Sequence, residues 1–163
     1  MNQTVIGRPE MLPVPPEWFE DYCIGWTITS PTRVVTDDDV RAYVRFSNDV
    51  RPLLGQTEPG GLRVPNMYLF SLGVSLLLHG GRGYISSQFV AFFGFDSITF
   101  HSQAQGSDAL RSTATVRDVI PRNTTGLVVY QHETSLVSGE LLVSSVQRIL
   151  VRRKVPNGRP ANA

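Results

Sequence analysis

Asn66-Met67-Tyr68-Leu69-Phe70-Ser71-Leu72-Gly73-Val74-Ser75-Leu76-Leu77-Leu78-His79 is the stretch whose reading decides the fold. Pro65 ahead of it suits the first position of a helix, where the N–H it lacks would have no partner inside the helix. Gly80, Gly81 and Gly83 behind it stop the helix. Between these signals the segment is apolar nearly all round, through Met67, Tyr68, Leu69, Phe70, Leu72, Val74, Leu76, Leu77 and Leu78. A helix without a polar face is normally buried on every side. The apolar run is too short to cross a bilayer, so the expected place for it is the middle of a soluble fold.

Strands follow. Phe95 to His101, Leu110 to Ile120, Leu127 to Val137 and Leu141 to Arg152 read as four, separated by Pro121, by Asn123 to Gly126 and by Ser138-Gly139. Short turns between consecutive strands favour an antiparallel meander. Ahead of the apolar helix, Trp26 to Val35 is β-rich but broken by Pro31, which makes it an edge or a bent strand. Thr36 before Asp37, Asp38 and Asp39 is a helix start, with a hydroxyl cap and acids at the positive end of the dipole. Val40, Tyr43, Val44 and Ser47 then share one helical face. Asn48 to Val64 reads as an ordered loop. The expectation is an α+β domain, an antiparallel sheet wrapped around one long central apolar helix.

The 163-residue length suits one domain, and 41% hydrophobic against 18% charged residues is ordinary for a globular chain. Fifteen basic against 14 acidic residues leave no field to steer nucleic acid or an anionic membrane. A small molecule or another protein is the expected partner. Residues 1–18, with Pro9, Pro13, Pro15 and Pro16, read as an extended arm, 19–154 as the domain, and 155–163 as a polar, fraying tail. One cysteine, Cys23, forms neither an internal disulfide nor a cysteine metal site, and it reads as a packing residue. The N-terminus has no basic and apolar leader pattern, so the default location is the cytoplasm.

Several strings resemble the MaoC-like enoyl-thioester hydratases, a hotdog-fold family. Phe19-Glu20-Asp21-Tyr22 followed by Ile24-Gly25 is similar to the family's opening. Thr32-Arg33-Val34-Val35-Thr36 with Asp39-Val40 resembles its approach to the first helix. Gly94-Phe95-Asp96-Ser97-Ile98-Thr99-Phe100 is similar to its "G-F-D" strand, and Gly106-Ser107-Asp108-Ala109-Leu110-Arg111 stands at its "P-G-D-T-L" turn. The likeness runs from about Phe19 to Lys154. It implies a hotdog domain, a homodimer or hotdog heterodimer, an acyl group carried on CoA or acyl carrier protein, and no cofactor.

The catalytic segment departs from the pattern. The family carries its acid–base pair in "D-x-N-P-hydrophobic-H" at the end of the first helix, and this chain reads Asp49-Val50-Arg51-Pro52-Leu53-Leu54. Aspartate and proline match, but Arg51 replaces the asparagine and Leu54 the histidine. Leucine moves no proton. The next signature, "R-hydrophobic-A-H-G-M", stands here as Arg63-Val64-Pro65-Asn66-Met67. The resemblance therefore implies Asp49 and Asn66 as catalytic residues, with Arg51, Met67 and Tyr68 on the substrate. The peptide N–H groups opening the helix would orient a thioester carbonyl. Asp49 has a second reading as a helix-end cap or a partner of Arg51, and Arg51 a second reading as a surface or paired residue.

The three histidines, His79, His101 and His132, read as structural or solvent-exposed, with His79 facing the helix dipole. They show no metal-ligand spacing with carboxylates. The basic run Arg152-Arg153-Lys154 reads as a solvated strand end or a contact for a carrier phosphate. Three functions stay open: a hydratase or dehydratase with an altered site, including a repurposed isomerase, cyclase or thioesterase; a non-catalytic hotdog subunit beside an intact partner; and a binding module for an acyl ligand.

Overall fold

A computed structural model describes residues 16–50, 60–79 and 86–154. A single 3-10 turn, Phe19–Asp21, precedes β1 (Thr27–Thr29), β2 (Arg33–Val34) and α1 (Asp37–Ser47). Then come α2 (Asn66–His79), β3 (Phe89–Phe100), β4 (Ala109–Pro121), β5 (Thr125–Leu136) and β6 (Leu141–Arg152). Among the described residues the six strands form one sheet in the order β1-β4-β5-β6-β3, with β2 also on β4, and every pairing is antiparallel. The broken segment around Pro31 does lie at a sheet edge, split into two short strands. The proposed arm up to residue 15 and the tail from residue 155 fall outside the described residues.

Two expectations about the strands are corrected. Only β4, β5 and β6 form a meander, because β3 pairs with β6 rather than with its chain neighbour β4. The segment between β3 and β4 is held elsewhere: His101 N–H donates to the Leu142 carbonyl, Val64 N–H to Ala104 O at 2.9 Å, and Gly106 N–H to Leu62 O at 2.8 Å. It therefore crosses to the far side of the sheet while clamping the approach to α2. Strand β3 also begins at Phe89, ahead of the expected Phe95. Its register with β6 shifts at Phe89/Ala91, Phe92/Gly94 and Phe95/Ser97. These bulges break the two-residue alternation by which a strand is read from sequence.

Helix α2 lies across one face of the sheet, against β4 and β5. It is not buried on all sides within one chain. Leu69, Phe70, Gly73 and Leu77 are buried, Leu72, Val74, Leu76 and Leu78 are half-buried, and Met67 is 56% exposed. One sheet covers one flank of a helix, and α1 adds cover only near its start through Val40 and Val44. The core accordingly has two apolar clusters. Val35, Val40, Val44, Leu69, Phe70, Leu110, Leu142 and Val143 surround the first half of α2. Phe19, Tyr22, Leu77, Val128, Ile149 and Val151 surround the second. Between the clusters, where Gly73 meets the sheet, lies a buried polar layer of Ser112, His132, Thr134 and Ser145.

The strings that marked the sequence turn out to be fasteners. Thr36 and Asp39 form a reciprocal capping box at the start of α1, as the hydroxyl and acids there imply, and Arg33 pairs with Asp39 at 3.0 Å. Glu20 and Asp21 hold Arg153 and Lys154 at 2.9 and 2.7 Å. Phe19 packs so closely on Gly126 that a Cβ there would sit 2.1 Å from its ring. Asp96 takes Arg148 of the neighbouring strand at 2.8 Å, and Asp108 accepts the Gln105 N–H.

Ser107 adopts φ 102°, a conformation glycine reaches without strain and other residues do not. It stands where the resembled turn carries glycine. Ser107→Gly is expected to stabilise the fold by ~1 kcal/mol, net of its 3.2 Å hydroxyl bond to Gly60 O. A higher urea midpoint with an unchanged slope would support this; a lower midpoint would show that the hydroxyl bond outweighs the strain.

Candidate functional site

The described candidate residues fall at the ends of two helices. Helix α1 closes on Asn48 in the left-handed conformation (φ 57°, ψ 17°), which turns the chain sharply before Asp49. Asp49 is half-buried, and its N–H donates to Ser47 Oγ at 3.2 Å. The rings of Tyr43 on α1 and Tyr68 on α2 stack at 5.0 Å, drawing α1 onto the first turn of α2. Burial, and then the nearby Asp39 charge, push the Tyr68 hydroxyl above its ordinary pKa, so it is a neutral group at pH 7.

Val64 fixes how α2 begins. Its N–H is held by Ala104 O, and its carbonyl accepts Gln103 Nε2 at 2.6 Å. The first helical bond runs from Leu69 N–H to Pro65 O at 2.8 Å. The N–H groups of Asn66, Met67 and Tyr68 therefore precede the hydrogen-bonded ladder, the positive end of the helix. Asn66 and Met67 are exposed on that turn and Tyr68 is half-buried. Three of the five sequence-read site residues thus share one helical turn, and Asp49 follows the helix that Tyr43 packs against it. Arg51 lies outside the described residues, together with Pro52, Leu53 and Leu54.

His132 is fully buried rather than exposed. Its Nδ1 lies 3.2 Å from Ser145 Oγ and its Nε2 3.3 Å from Thr134 Oγ1, which in turn bonds Ser112 Oγ at 2.9 Å. Burial brings its pKa down to about 4, so the ring is neutral at pH 7. With no exposed surface it plays a structural part. His101 is exposed and bonded to Ser144 Oγ at 2.8 Å. Cys23 is exposed, which corrects its reading as a packing residue: the turn into β1 leaves its side chain in solvent. Arg153 and Lys154 are committed to Glu20 and Asp21, so the basic run is an internal clasp. Among the described residues no three His, Cys, Asp or Glu side chains gather as a metal would require.

Sequence reading named His132 without placing it and its polar neighbours on the inner sheet face. Tyr130, His132 and Thr134 alternate on β5, as do Ser145 and Gln147 on β6, and all five are buried. The period-two spacing was visible; what was missing was which face the apolar helix would cover.

No family model matches the chain, and no curated protein matches it by sequence. Solved structures do match. A monoamine oxidase regulatory protein from Archaeoglobus fulgidus superposes with a TM-score of 0.75 at 23% identity, over 88% of this chain and 99% of that one. A MaoC-like dehydratase from Rhodospirillum rubrum does so with 0.72 at 20%, over 84% and 97%. A Mycobacterium tuberculosis protein described as a double hotdog matches with 0.71 at 16%, over 88% of this chain and 46% of its own. The chain has the hotdog fold. It shares this architecture with MaoC-like dehydratases and with (R)-hydratases. No helix among the described residues is long and apolar enough to cross a membrane.

Proposed function

We propose that this hotdog chain is a hydratase- or dehydratase-type lyase acting on an acyl thioester of CoA or acyl carrier protein in the cytoplasm, with Asp49 as its single proton-transfer group. The observation that carries the reading is the packing of α1 on the first turn of α2. A half-buried carboxylate follows α1, and the first turn of α2, packed on α1 through Tyr43 and Tyr68, offers N–H groups ahead of its ladder. Those N–H groups and the Asn66 amide would hold the thioester oxygen, and Met67 and Tyr68 the atoms beside it, with Arg51 reaching a carboxylate or phosphate. Asp49 would accept a proton as water oxygen bonds to the β-carbon of the enoyl group. The π pair moves toward the thioester oxygen, and the same carboxyl then returns a proton to the α-carbon. One group does the work of the usual pair, since leucine stands at the histidine position.

Asp49→Asn is expected to slow crotonyl-CoA hydration by ~100-fold or more, read as loss of the enoyl-thioester absorbance by the purified protein. An unchanged rate would remove Asp49 from the reaction. A second reading, a non-catalytic subunit, is favoured by Leu54 and by the free edge of β3. Among the described residues that strand pairs only with β6, and it exposes Val90, Phe92, Phe93 and Phe95 at 46, 40, 50 and 42%. An open edge with apolar side chains calls for another strand, from a second copy or a related hotdog chain. A homodimer that hydrates crotonyl-CoA alone supports the first reading. A chain inert alone, active only beside a hotdog partner with an intact acid–base pair, supports the second.

A further inference from the structure

The bulges of β3 have a chemical product. They bring Phe89, Phe92 and Phe95, three residues apart, onto the helix-facing side opposite Val151, Ile149 and Gln147. The rings touch in a row: Phe89 meets Phe92 edge-on at 5.4 Å, and Phe92 stacks on Phe95 at 6.3 Å. With Val74, Leu77 and Leu78 of α2, Phe89 and Phe92 wall a cleft that reaches Gln147. About 20 Å³ of it is open to the centre of a water-sized group, and its empty space, open solvent included, is about 340 Å³. Gln147 is 4% exposed, and among the described residues its Oε1 has no hydrogen-bond partner. A buried acceptor without a donor is costly, and it stands out in a core whose other buried polar side chains are bonded.

We propose that this cleft binds the apolar end of a ligand that carries one hydroxyl, seated so that the hydroxyl donates to Gln147 Oε1. The aromatic wall and the aliphatic flank of α2 supply apolar contact, and the unpaired Gln147 acceptor sets the choice between hydroxylated and plain chains. This deepens the thioester reading by naming the tail of the acyl group, while the cleft itself stands on Gln147 and its walls.

Calorimetric titration with 8-hydroxyoctanoyl-CoA and octanoyl-CoA, and with the two free acids, tests it. The hydroxylated thioester is expected to bind about tenfold tighter, and Gln147→Leu to level the two. Val74→Phe, which fills the cleft from α2, is expected to weaken both while circular dichroism stays unchanged. Equal affinities in the unaltered protein, a preference that survives Gln147→Leu, or binding indifferent to Val74→Phe overturns the proposal. Thioesters that bind without preference keep the thioester reading and sink the cleft. Free 8-hydroxyoctanoate that binds through Gln147 while neither thioester binds does the reverse. Absence of binding by all four compounds sinks both.

Discussion

Gly73→Ala is expected to cost this fold ~2–3 kcal/mol, although alanine is the better helix former by about 1 kcal/mol. A Cβ at residue 73 would stand 2.1 Å from Thr134 Oγ1 and 3.2 Å from both Ser112 Oγ and Thr134 Cβ. No rotamer of the added methyl relieves a contact made by Cβ itself, so α2 must rise from the sheet or the polar layer must part. Either response strains the 2.9 Å Ser112–Thr134 bond and the imidazole bonded to Thr134. Against a total stability of about 5–15 kcal/mol, the loss is visible as a lower urea midpoint and a lower Tm. Thr134→Ala removes the nearest atom, so the double variant should lose less than the two single losses added together. An alanine variant as stable as the parent would mean that α2 rides higher above β5 than the packing implies.

Acid should weaken the fold through His132. The unfolded chain takes a proton on His132 near pH 6.5, whereas the folded chain holds the ring neutral until about pH 4. Between those values the unfolded state binds more protons, so stability falls as pH falls. The contribution is fully present above about pH 6.5 and is lost down through about pH 4. A gap of about 2.5 pH units at ~1.4 kcal/mol each comes to ~3 kcal/mol. Asp21, Asp39 and Glu20 have pKa values lowered from 3.8, 3.8 and 4.5 in the fold, so their losses come at more acid pH. Of these four groups, His132 is the one whose contribution changes across the interval from pH 6.5 to 4.5. Denaturant midpoints taken across it should slope in the parent and lie flat in His132→Gln. A parallel slope in that variant would assign the acid sensitivity elsewhere.

Much of the architecture was readable because its signals are local. The capping box at Thr36 and Asp39, the apolar run of α2 and the three hairpin-linked strands each announce themselves within a dozen residues. The beginning of β3 did not, since its bulges replace alternation with a spacing of three. The pairing of β3 with β6 is a choice among sheet edges that no short window contains. The site was legible to a different degree. Asp49, Asn66, Met67 and Tyr68 came from the resemblance, and the helix ends on which they fall were readable from capping and proline signals. His132 was named without its burial, and Gln147 was not singled out, because both depend on which face of the sheet lies beneath the helix. The family-like strings pointed to the right fold. Their work is structural, since Glu20, Asp21, Arg33, Asp39 and Asp96 form ion pairs that hold the frame.

The clasp of Glu20 and Asp21 on Arg153 and Lys154 joins the first described element to the end of the last strand. The beginning and the end of the fold are thus spatial neighbours, and the order in which the elements are strung is separable from their arrangement. A circular permutant that links Lys154 to Glu17 and opens between β4 and β5, at Asn123, keeps every strand pairing intact. Where a protein starts and stops is, for this architecture, a freedom of the gene more than a demand of the fold.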